Sequence, residues 1–70
     1  MNNVEFQIWY KLNTAGMDAE MAKRFLKADG SEPEFLAVSK LESLEDAQTV
    51  LEQERIPGTG YIYWIKQVAA

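Results

Sequence analysis

Along residues 4–12 apolar and polar positions alternate. Val4, Phe6, Ile8, Tyr10 and Leu12 fall on one side, with Glu5, Gln7, Trp9 and Lys11 on the other. A period of two is that of a strand with one face buried. Trp9 is the exception, a large ring among the polar positions. Asn13, Thr14, Ala15 and Gly16 then break the strand with turn chemistry.

The period changes after Gly16. Met17, Met21, Ala22, Phe25, Leu26 and Ala28 recur at spacings of three and four, which predicts a helix over 17–29. Asp18, Glu20, Lys23, Arg24 and Lys27 fall mostly on its other side. Thr14 or Asp18 can cap its start, and Gly30 provides a left-handed stop. A second, shorter strand is expected over 34–41. Ser43-Leu44-Glu45-Asp46 reads as a helix start, with the Ser43 hydroxyl placed to accept from the amide three residues on. That helix runs over 44–55 and should bury Leu44, Ala47, Val50 and Leu51. Ile56-Pro57-Gly58-Thr59-Gly60 stops it. The last segment, 61–68, is rich in aromatic and β-branched residues and almost continuously apolar, the mark of a central strand.

The order β-α-β-α-β predicts an α+β fold, a small two-layer sandwich. Its sheet would have three strands, with the third strand central and antiparallel between the first two, and both helices on one face. The first strand, first helix and second strand would then form a right-handed split crossover. An all-parallel sheet covered on both sides fits less well, because the first strand has a mostly polar face. The open face would show Glu5, Gln7, Trp9 and Lys11. The last strand would add either Tyr61, Tyr63 and Ile65, or Ile62, Trp64 and Lys66. Tyrosine tolerates a wet surface better than isoleucine, so Tyr61 and Tyr63 are expected outward, making with Trp9 and Phe35 an aromatic patch suited to a partner.

Composition narrows the chemistry. Seventy residues make one domain, residues 1–70. There is no histidine and no cysteine, which removes the usual general base, the thiol nucleophile and the commonest metal ligands. No calcium-loop spacing replaces them. No cofactor and no metal is expected, and the chain is read as a non-enzyme. Two carboxylates can hydrolyse a glycoside, but that needs a cleft which so small a core rarely forms. Gly58-Thr59-Gly60 follows a helix and precedes a strand, the reverse of a phosphate-cradling loop. The start of the chain has neither a basic nor an apolar leader segment, and the apolar runs are far shorter than a membrane span, so a cytoplasmic protein away from membranes is expected.

Net charge is −4, unevenly spread: residues 29–54 hold eight acids against Lys40 alone. A negative field disfavours direct nucleic-acid binding and favours a partner with a basic surface. Glu42, Glu45, Asp46 and Glu52, on and before the second helix, are candidate contacts for such a partner, standing where phosphates would on a nucleic-acid-handling protein. Acids in a first helical turn also match the helix dipole without any partner.

Residues 60–65, Gly-Tyr-Ile-Tyr-Trp-Ile, resemble the aromatic strand of an RNA-recognition domain. The preceding basic residue is missing and the fold is a strand short. In type, the compact, acidic, cysteine-free profile resembles that of mobile-element proteins that block host nucleases, such as anti-CRISPR and anti-restriction proteins. The expected function is a non-catalytic protein-binding module, an inhibitor or modulator of a larger protein, touched through Trp9, Phe35, Tyr61 and Tyr63 or through the acidic helix. One alternative is a homodimeric adaptor that buries its open sheet face. Another is a single-strand nucleic-acid binder that stacks bases on the same rings.

Overall fold

The alternation over 4–12 does form a strand, and that strand takes the middle of the sheet. The computed structural model describes residues 3–70. Its elements are β1 (Val4–Leu12), α1 (Ala19–Lys23), β2 (Phe35–Leu41), α2 (Leu44–Glu54) and β3 (Tyr61–Ala69). Together they make a small α+β domain built on one three-stranded antiparallel sheet, in the order β2-β1-β3.

The class is as the sequence predicts, but three details differ. The central strand is β1, and β3 is an edge. Because β1 and β2 are antiparallel, no crossover joins them. Only α2 packs on the sheet, across all three strands, whereas α1 touches none of them.

Ile8 and Ala47 are the two fully buried side chains among the described residues. They mark where α2 meets the centre of β1. Ser43 starts α2 as expected: its Oγ accepts from the Asp46 amide at 3.0 Å. Val50 and Leu51 are half-buried, but Leu44 stays exposed, because it precedes the first residue that reaches the sheet.

The helix expected over 17–29 shortens to five residues. Asp18 caps it, its carboxylate accepting from the Met21 amide at 2.9 Å. So short a helix needs tertiary packing to persist, and its apolar stripe finds none: Met21 and Phe25 are exposed. Residues 13–34 thus form an arm that leaves and re-enters at one end of the β1–β2 pair, where Tyr10 faces Phe35.

The Cα dimensions are 47 × 27 × 13 Å. A layer spacing of about 10 Å accounts for nearly all the thickness. Among the described residues, no helix packs on the side of the sheet away from α2. Nine-residue strands span about 30 Å, so the arm extends the molecule lengthwise.

Candidate functional site

Directly paired residues on neighbouring strands share a face, so the register sorts every side chain. β1 pairs with β3 without a break, with Ile8 opposite Ile65, Trp9 opposite Trp64 and Tyr10 opposite Tyr63. The face under α2 therefore holds Ile8, Ile65, Tyr10, Tyr63 and Tyr61. The open face holds Trp9, Trp64, Lys11, Ile62, Gln7, Lys66 and Glu5, and Leu36 of β2 pairs with Trp9 next to a register shift.

A chain of hydrogen bonds orders that open face. The Trp9 indole N–H donates to Gln7 Oε1 at 2.8 Å, and Gln7 Nε2 makes a long contact of 3.4 Å with Glu5 Oε2. The same Glu5 oxygen accepts from the Lys40 backbone N–H at 2.9 Å. Two register shifts interrupt the β1–β2 ladder, one of them between the Phe6–Leu41 and Ile8–Val38 pairs. Lys40 lies in that bulge with φ at 62°, a left-handed conformation rare for lysine. Its N–H, turned from the ladder, is met by the Glu5 carboxylate. Lysines complete the arrangement: Lys66 Nζ stands 5.0 Å from the Trp9 ring centroid and Lys11 Nζ 6.0 Å from that of Trp64. At such distances a cation is drawn to the indole face. Lys11 also lies 3.8 Å from Glu32 of the arm.

The other face carries a second aromatic group. Tyr10 is its hub, with ring centroids 5.4 Å from Phe35, 5.4 Å from Tyr63 and 5.5 Å from Tyr61. Offset and edge-on pairs of this kind add about 0.5–1.5 kcal/mol each beyond burial. Phe35 and Tyr61 remain 46% and 44% exposed, because α2 ends before covering them. Tyr10, Tyr61 and Tyr63 line a shallow groove of about 430 Å³ with Leu36, Ala37 and Glu54. A larger open hollow, about 590 Å³, lies at the other end of the sheet beside Lys40 and Leu41. It gathers no group of rings or charges beyond Glu5, Lys40 and Glu42.

The expected patch is thus divided. Trp9 is on the open face, as the alternation predicts. Tyr61, Tyr63 and Phe35 are on the opposite face, contrary to expectation, because Leu12 pairs with Tyr61 and Tyr10 with both Tyr63 and Phe35. The acids Glu42, Glu45, Asp46 and Glu52 are all exposed. Glu45, Asp46 and Glu52 lie on α2, so their side of the molecule is that of the tyrosines. Glu52 is paired with Arg55 at 3.1 Å. The sequence offers Ile62, Trp64 and Lys66 as the alternative outward set of the last strand, and that set is the one on the open face; the hub Tyr10 carries no mark in the sequence. Placing Ile65 inward against Ile8 would have turned Trp64 outward.

The Ser31 hydroxyl and backbone N–H both donate to Asp29 and hold its carboxyl below the usual range. Asp29 is exposed on the arm, outside both ring groups, and the bond closes a local turn. Compared with protein-family profiles, curated proteins and solved structures, the chain matches none.

Proposed function

We propose that this chain is a non-catalytic, cytoplasmic protein-binding module that blocks or modulates a larger, nucleic-acid-handling protein with a basic surface. Contact is made through the side that carries α2. The observation behind this reading is the segregation of charge. The exposed acids Glu45, Asp46 and Glu52 lie on the helix above the sheet, with Glu54 at the edge of the tyrosine groove. Lys11 and Lys66 belong to the opposite face. Rigid carboxylates beside half-exposed rings combine electrostatic steering with aromatic anchors. Tyr61 and Phe35 are the anchors, and the acids set approach and register.

The test is affinity capture from host lysate with mass spectrometry, run with the native chain and with a Glu45→Lys, Asp46→Lys double variant. One stoichiometric basic partner should be retained by the native chain and lost by the variant, with binding that weakens steeply with salt. Equal capture by both would remove the acidic helix from the interface.

A further inference from the structure

We infer that the tyrosine groove at the C-terminal end of α2 receives one arginine side chain, supplied by the larger partner. This rests on the reading of that partner as basic and names the contact it makes. On the open face each indole ring already has a lysine beside it, Lys66 at Trp9 and Lys11 at Trp64. Among the described residues no cation lies over Tyr10, Tyr61, Tyr63 or Phe35. Yet three of these rings line an open groove of about 430 Å³, and small-ligand sites run from about 300 to 1,000 Å³. Tyr63 is inclined to Tyr10 by 27°, whereas Tyr61 stands across Tyr10 at 82°. The rings therefore make a corner and not a flat wall.

The charge at this corner is negative and unanswered. Glu54, the last residue of α2, lines the same groove and has no ion-pair partner among the described residues. The nearest cation in sequence, Arg55, is held by Glu52 at 3.1 Å and does not line the groove. The last turn of α2 contains no basic residue. Its final carbonyls carry the negative end of the helix dipole, where a carboxylate is destabilising and a cation is welcome. A cation in the groove would meet the rings, the Glu54 carboxylate and the helix end at once.

Arginine suits this set better than lysine. Its guanidinium is planar and weakly hydrated, so it stacks on rings while its N–H fork donates to a carboxylate. An ammonium is held more strongly by water and offers no plane to stack. A nucleobase also stacks, but its phosphates would face Glu54 and the helix end.

The experiment is a titration of the full chain, followed by NMR at the tyrosine rings and the two indoles. The probes are N-acetyl-arginine amide, N-acetyl-lysine amide and thymidine. Expected is saturable movement of the Tyr61 and Tyr63 signals with the arginine probe, at a dissociation constant of about 1 mM. The indole signals should stay in place, and the lysine probe should bind roughly threefold more weakly. Glu54→Gln should weaken the arginine probe roughly fivefold, with Tm unchanged or raised, because it removes a carboxylate from the negative helix end. Tyr61→Leu, at an exposed position, should weaken it roughly threefold.

Shifts that grow without saturating overturn the inference. So does equal binding of the two cations, which would reduce the groove to a diffuse negative field. Stronger movement of the same rings with thymidine overturns it in favour of base stacking. A Glu54→Gln chain that binds the arginine probe as well as the native chain overturns it too. Failure of this inference and failure of the proposed partner are separable. Glu45 and Asp46 stand about 12 Å along the helix from Glu54, beyond a Debye length at physiological salt. The Glu45→Lys, Asp46→Lys variant should therefore titrate normally with the arginine probe while losing the larger partner. A native chain that captures a basic partner but leaves the probe unbound loses the arginine groove and keeps the acidic contact.

Discussion

Glu5 holds together what surrounds it. Its carboxylate meets the backbone of Lys40 across the bulge and, through Gln7, sets the position of Trp9. Removing it leaves a backbone donor without its partner at a strained residue. Glu5→Ala should lower stability by about 1–2 kcal/mol, and Glu5→Gln by less, since an amide oxygen still accepts. Chemical denaturation of both variants checks the order; equal losses would mean that the oxygen at this position does not matter. Trp9 was legible in the sequence because it interrupts an otherwise clean alternation. The Lys40 conformation was not. Lysine carries no mark of a left-handed position, and the bulge arises only when β2 is laid against β1.

Element by element, legibility followed packing. β1 keeps its predicted bounds because a period of two with one buried face has a single reading. The start of α2 was readable from Ser43. The first helix is shorter than its apolar stripe predicts, because among the described residues no strand or helix packs against that stripe. β3 was misplaced for a related reason. Its continuous apolarity comes from two half-exposed faces, Ile62 and Trp64 on one and Tyr61, Tyr63 and Ile65 on the other, which reads like a covered central strand. The arm of residues 13–34 begins and ends at neighbouring points, with Tyr10 opposite Phe35 and the Asn13 amide bonded to the Gly60 carbonyl at 2.8 Å. Replacing residues 14–33 with a short Asn-Gly turn should therefore preserve the sheet, as read by circular dichroism and amide exchange. A collapse of the sheet would show that the arm supports it.

For the whole molecule, the governing fact is a thin core. A chain of this size has about 4–10 kcal/mol of stability in all. Two fully buried side chains, Ile8 and Ala47, tie the helix to the sheet. Ile8→Ala removes the larger of them at the one point every element in the sheet shares, a loss of about 2–5 kcal/mol. Thermal unfolding should show a fall in Tm many times that of a surface change such as Gln53→Ala. A small shift would mean that the tyrosine group carries the fold. The strand order that creates this dependence was hidden in the sequence, since apolar content cannot tell a central strand from a half-exposed edge.

Putting the first strand in the middle has a consequence in time. Its partners on one side lie 49 to 65 positions later, from Leu12–Tyr61 to Val4–Ala69. Contacts so distant in sequence form slowly, because a long loop must close before any of them is rewarded. β1 leaves the ribosome before the other two strands of its sheet, and one of its two edges stays without a ladder partner until residues 61–69 have been made. During that interval an uncovered Val-Glu-Phe-Gln-Ile-Trp-Tyr strand is exposed to a chaperone or a neighbouring nascent chain.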